Sequence, residues 1–168
     1  MKRIICLILS LCVVYITFGC GKKQEMIEDP ANFYYQNSSV SFFEKNSVLA
    51  PEIRDISEFK GNTLKIINAY LQGPLSEEFV SPFPQNLQVK AIERTGDTVV
   101  ITFTEEFSSL SGLDLSIACA CICTTVNELM GNCDIQIKSP TPFADGTYII
   151  EISNDQLFLL DNSSQVSY

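Results

Sequence analysis

The chain has no histidine and no tryptophan. Histidine is the commonest general base near neutral pH and the commonest metal ligand. Its absence excludes a serine or cysteine nucleophile activated by an imidazole. Carboxylate-only mechanisms remain possible. Without tryptophan, any sugar-stacking platform would have to be built from tyrosine or phenylalanine. Positive charge is scarce too, with 11 Lys and Arg against 20 Asp and Glu. Such a surface repels phosphate backbones and anionic headgroups, so no nucleic acid is expected as a partner.

Long hydrophobic runs occur in one place, the first twenty residues. Met1, Lys2 and Arg3 give a basic start, Ile4 to Phe18 is almost wholly apolar, and Gly19-Cys20 closes the run. A basic segment, an apolar segment and a small residue before a cut describe a secretory signal peptide. The apolar run is shorter than the roughly 20 residues that span a bilayer. Thr17, Phe18, Gly19 and Cys20 resemble the bacterial lipobox. Gly19 and Cys20 fit its last two positions, whereas Thr17 and Phe18 depart from the usual Leu and small residue. The expectation is cleavage before Cys20 and lipidation of its sulfur, with an uncleaved anchor and ordinary secretion as alternatives. Residues 1–19 are then a signal peptide, 20–31 a tether and 32–168 one folded domain, on the extracytoplasmic face of the cell membrane. Removing Lys2 and Arg3 lowers the basic count from 11 to 9 against 20 acidic residues, a net charge of −11. Membrane attachment would come from acyl chains and not from a basic patch. The remaining length suits a single domain with a proper core.

Seven cysteines look like a signal until they are placed. Cys6 and Cys12 lie in the leader and Cys20 is the lipid site, which leaves Cys119, Cys121, Cys123 and Cys133. On a helix, Cys119 and Cys123 are about 40° apart, but Cys121 is about 200° from Cys119. Metal ligands on a helix must share a face, so no metal site is expected there. Two readings stay open. The cysteines are buried small hydrophobes, or Cys123 and Cys133 form a disulfide, which the compartment permits but spacing cannot assign.

Local patterns give an order of elements. Phe33-Tyr34-Tyr35 opens a β-rich stretch that Val40–Phe43 and Val48-Leu49 can continue, and Pro51 keeps Ala50 extended. Asn62 or Thr63 caps a helix over about 62–72, with Leu64, Ile67 and Leu71 at helical spacing; Gly73 sits at its end and Pro74 just beyond. Leu87, Val89 and Ala91, then Val99, Ile101 and Phe103, alternate around Thr95-Gly96-Asp97 and predict an antiparallel hairpin. A second helix starts at Ser111 or Asp114 and runs to Met130, with the stripe Leu115, Cys119, Ile122, Val126 and Leu129 and a cap at Gly131. Ile135 and Ile137, Tyr148–Ile152 and Gln156–Leu160 read as further strands, with a turn at Asp145-Gly146. The expected fold class is α+β. It is a single domain with two helices packed on a mixed or antiparallel sheet, βαββαβ-like with an extra C-terminal strand.

In this order the chain resembles the GerMN domain of sporulation and spore-germination proteins. The pieces that match are Phe33-Tyr34-Tyr35, Ala50-Pro51-Glu52-Ile53-Arg54, Leu71-Gln72-Gly73-Pro74, the hairpin at 87–103, Ala118-Cys119-Ala120-Cys121 with Thr124-Thr125-Val126, and the strand Asp134 to Lys138. The resemblance covers about residues 33–152. It implies a non-enzymatic interaction or scaffolding domain of envelope lipoproteins, acting in sporulation or germination. It also implies envelope protein partners, with no cofactor and no catalytic residues to carry over.

Three groups of residues remain to be weighed. Glu52 and Arg54 share one face of a strand. They form a surface ion pair or, given the resemblance, Arg54 docks against the first helix or the loop at Gly73 and Pro74 and fixes the fold; a ligand role for Arg54 is the third reading. Glu77-Glu78 and Glu105-Glu106 are acidic by adjacency only, whereas glycoside hydrolysis needs two carboxyls facing across a cleft. The aromatics Phe33, Tyr34, Tyr35, Phe42 and Phe43 are core or a docking surface. Binding of the cell wall or a small ligand is the alternative to a protein-interaction role, and a carboxylate-dependent wall hydrolase is the remaining one.

Overall fold

A computed structural model describes residues 27–39 and 48–153. The leader, Cys20, and the strands expected at Val40–Phe43 and Gln156–Leu160 lie outside the described residues.

Strand β1 (Pro30–Asn37) alternates, burying Ala31, Phe33 and Tyr35 and turning the residues between them outward. Pro30 and Ala31, which the sequence places in the tether, belong to the strand. Proline is tolerated at the first residue of a strand, and Ala31 is already buried. β1 pairs antiparallel with β2 (Leu49–Asp55), with Tyr34 opposite Pro51. Tyr34 turns its polar backbone atoms away from β2. Its N–H donates to Thr125 Oγ1 at 3.0 Å and its carbonyl accepts from the Tyr70 hydroxyl at 2.6 Å. Pro51 therefore sits at a non-hydrogen-bonded position, where its missing N–H breaks no rung.

Asn62 caps helix α1 (Thr63–Tyr70), its side chain accepting from Lys65 N at 3.1 Å. The helix buries Ile66, Ile67 and Tyr70. Leu64, expected in the apolar stripe, is 37% exposed instead. The stretch after Pro74 is mostly loop, but it includes a two-residue strand, β3 (Phe79–Val80), on the far end of β1. The first sheet has the order β2-β1-β3.

The hairpin forms as β4 (Val89–Thr95) and β5 (Thr98–Phe103). Its two-residue loop starts at Gly96, whose φ of 62° suits glycine. Helix α2 (Gly112–Met130) then carries the chain over to β6 (Asp134–Lys138), which pairs parallel with β5; β7 (Ile149–Ile152) adds antiparallel. The second sheet is β4-β5-β6-β7. The class is α+β with two helices, and the strands are divided between two sheets that share one core.

α2 buries Cys119, Ile122 and Val126 of the expected stripe, Ala118, Cys123 and Thr125 flanking it, and Ala120 and Cys121 further round the helix. It is long and apolar enough by composition to cross a membrane. Here its apolar side chains fill the core, in contact with both sheets' residues.

Candidate functional site

The alternation of β2 puts residues 52 and 54 on one face, and that face looks inward. Glu52 is buried and Arg54 largely so. Arg54 Nε donates to Glu52 Oε2 at 2.6 Å, and its Nη2 also contacts that oxygen. Nη2 donates to the Tyr35 hydroxyl at 2.9 Å and to the Gly73 carbonyl at 2.7 Å. The guanidinium lies 5.3 Å from the ring centres of both Phe33 and Tyr35, within cation–π range.

The loop after α1 is held from both directions. Its Gly73 carbonyl accepts from Arg54, and from the Tyr35 hydroxyl at 3.1 Å. Its Leu75 and Ser76 N–H groups donate to Glu52 Oε1 at 2.9 and 2.8 Å. Gly73 has φ of 100°, which a side chain would strain, and Pro74 stiffens the step between the two contacts. The structure thus brings together Glu52, Arg54, Gly73 and Pro74. This is not a solvated surface pair. Both carboxylate oxygens of Glu52 are engaged, so the cluster offers no free base. Burial pushes the Tyr35 and Tyr70 hydroxyls up, only partly offset at Tyr35 by Arg54, and keeps both as neutral donors.

Outside this knot lies an open groove of about 660 Å³, with Phe33, Ile56, Phe59 and Arg54 among its walls. Ile27, Ile53 and Leu75 also line it, yet they are 45%, 61% and 81% exposed. Asp55 and Glu58 add carboxylates to the lining. Asp55 accepts from the backbone N–H groups of Ser57, Glu28 and Asp29 at 2.9, 3.1 and 3.3 Å. Those backbone donors lower its pKa to about 2. They also fix where the chain enters the domain. A smaller hollow of about 360 Å³, lined by Gln36, Val80, Leu110 and Asp114, sits at the opposite end of β1.

The remaining candidates are dispersed. Cys119, Cys121, Cys123 and Cys133 are all buried free thiols. The Cys123–Cys133 disulfide is not formed. Cys123 is enclosed in the core, while Cys133 Sγ points to Asn127 Oδ1 at 3.2 Å. Burial pushes the Cys119 and Cys121 thiols up to about 12 and Cys123 well up as well, which makes them unreactive. Among the described residues, no three His, Cys, Asp or Glu are grouped to hold a metal. Glu77 and Glu78 are exposed loop residues, and Glu105-Glu106 begin a short 3₁₀ turn, Glu105–Ser109. Phe33 and Tyr35 are core, Tyr34 is half-buried, and Phe42 and Phe43 lie outside the described residues.

Sequence reasoning missed the Tyr35 hydroxyl, the amides of Leu75 and Ser76, and the role of Asp55. Only Asp55 carried a local signal, an Asp two residues before a serine, the pattern of an Asx turn.

No protein-family model matches the sequence, and no curated protein matches it in sequence. Among solved structures, the first GerMN domain of the sporulation protein GerM from Bacillus subtilis superposes with a TM-score of 0.57 at 14% identity, over 75% of this chain and 98% of that one. The tandem GerMN domains of the same protein give 0.53 at 16% identity, over 74% of this chain and 45% of theirs, so this chain spans less than half of the tandem. At these identities the likeness is one of fold, and the fold is GerMN-like.

Proposed function

We propose that this chain is an extracytoplasmic lipoprotein, anchored through Cys20, whose GerMN-like domain works by holding envelope partners. The process we assign is sporulation or spore germination, in line with the sporulation protein GerM. One observation carries the reading: the fold covers 98% of a GerM domain. The leader, with Lys2-Arg3, an apolar run and Gly19-Cys20, supports it from the sequence side. The mechanism is tethering plus surface complementarity. Acyl chains confine the domain to a thin layer and raise its effective concentration toward partners in that layer. The Glu52–Arg54 knot serves this role structurally, by fixing the loop that walls the groove.

Crosslinking in intact cells, followed by mass spectrometry, should recover a reproducible envelope protein; recovery of none would count against the reading. Labelling with a clickable fatty acid should mark the wild type and not Cys20→Ala. A second reading, a module that binds cell wall or a small ligand, is favoured by the 660 Å³ groove. Retention on purified cell wall in a spin-down would support it over protein partnership.

A further inference from the structure

We propose that the face carrying Ile27, Ile53 and Leu75 is the side on which the domain rests against a lipid bilayer, with those three side chains seated in the interface. The proposal rests on the anchored reading of Cys20.

Its first support is where the tether arrives. Asp55 grips the backbone at Glu28 and Asp29, so the chain reaches the domain at a fixed place, and Ile27 lies on the groove wall there. Seven residue steps separate Cys20 from Ile27. Fully extended, seven residues span at most about 25 Å. A folded chain of this length has a radius of gyration of about 15 Å, and a diameter well beyond that reach. A lipid on Cys20 therefore cannot be attached with the opposite end of the domain facing the membrane. The groove is held on the near side.

The second support is chemical. Large aliphatic side chains gain by leaving water, and grouped exposure of them marks a contact surface. Ile53 and Leu75 are among the most exposed large apolar side chains of the described residues, and both lie on this one groove with Ile27. The knot beneath holds the backbone at both. Ile53 is between Glu52 and Arg54, and Leu75 donates its N–H to Glu52. They are thus fixed features of the face. The rim carboxylates Asp55 and Glu58 and the net charge of −11 select against anionic headgroups. The occupant is therefore a zwitterionic bilayer surface, with acyl chains under the apolar residues.

The test uses the lipidated protein, processed by its own export pathway and reconstituted into phosphatidylcholine vesicles. Leu75→Cys and Ile53→Cys each place one reactive thiol on the face, labelled with a polarity-sensitive fluorophore. Both parent residues are mostly exposed, so the fold should tolerate either change. The four core thiols are buried and the Cys20 sulfur is a thioether, so neither competes for label. Leu113→Cys is the control, because Leu113 is 66% exposed and next to Asp114, which lines the hollow at the far end of β1. The expected result is a blue-shifted probe at 75 and 53, quenched several-fold more by nitroxide-bearing lipid than the probe at 113. Equal quenching at all three, or dry probes at 75 and 53 only after a partner protein is added, would overturn the proposal and leave the anchor intact. If the wild type fails to float with the vesicles, or Cys20→Ala floats equally well, the anchored reading fails and takes this proposal with it.

Discussion

Arg54 illustrates how a single side chain ties distant segments. It joins β2 to Tyr35 on β1 and to the Gly73 carbonyl at the end of α1, and it balances a buried Glu52. Removing one member of a buried pair leaves the other charge uncompensated, at a cost of about 3–5 kcal/mol, whereas an exposed pair is worth about 0–1. Arg54→Ala should therefore lower urea-unfolding stability by about 3 kcal/mol. Arg54→Lys should recover only part of that, since an ammonium cannot reproduce the planar fork. A loss for Arg54→Ala under about 1 kcal/mol would return the pair to the status of a surface contact. Asp55 makes a separate prediction. Its folded pKa is lowered to about 2 from 3.8 by the backbone N–H groups it accepts from. A depressed folded value means that the unfolded chain binds the extra proton, so stability is present above the unfolded pKa and is lost as pH falls through about 2. Between about pH 4 and pH 2 the melting temperature should fall, and Asp55→Asn should flatten that slope. An identical slope in the variant would show that the carboxylate does not hold Glu28 and Asp29.

Among the elements, α2 closes an edge that would otherwise stay open. The Tyr34 N–H faces away from β2 and finds Thr125 Oγ1 at 3.0 Å. Thr125→Val keeps the shape and removes the acceptor. Leaving a buried donor unpaired costs about 1–3 kcal/mol, and Thr125→Val should lose that much in chemical denaturation. A neutral outcome would mean that water replaces the hydroxyl. The elements also mark how far the sequence could be read. Caps and turns are local chemistry, so Asn62, Gly96 and Gly131 announced the ends of helices and the hairpin. The stripe on α2 was legible at Cys119, Ile122 and Val126, but Ala118, Cys121 and Thr125 are buried as well, because the covered surface of the helix is wider than that stripe. Periodicity names one buried face and cannot say that a second layer covers another. For the same reason, the division of strands between two sheets, and β3 with two residues, carried no local signal. At the site, Glu52 and Arg54 were visible as a pair sharing a face. Their partners, a glycine carbonyl and two loop amides, are backbone groups that any residue possesses, so no side-chain pattern pointed to them.

At the scale of the whole molecule, the question is whether two sheets make one folding unit. α1 answers to both. Tyr70 on α1 donates to the Tyr34 carbonyl in the first sheet. Asn68, two residues earlier and on the opposite side of the same helix, makes a two-point bond to Val89 on β4. Its Nδ2 donates to the carbonyl at 3.1 Å, and its Oδ1 accepts from the N–H at 2.8 Å. The apolar core is likewise continuous, with Phe33 and Tyr35 in the same cluster as Val99, Ile101 and Ile137. Opening either sheet would expose the shared core and strand edges of the other, so neither half has a stable partly folded state of its own. Urea unfolding should therefore be a single transition, with a slope of about 1–3 kcal/mol per molar. The absence of tryptophan makes this easy to examine, because intrinsic fluorescence then reports tyrosine, and the buried Tyr35 and Tyr70 belong to the first sheet and α1. Circular dichroism reports both sheets and both helices together. Coincident midpoints by the two probes are expected. A tyrosine transition that precedes the loss of secondary structure would mean that the Arg54 knot and its groove unfold apart from the hairpin and α2. A face held that loosely could not keep Ile53 and Leu75 in register against a membrane.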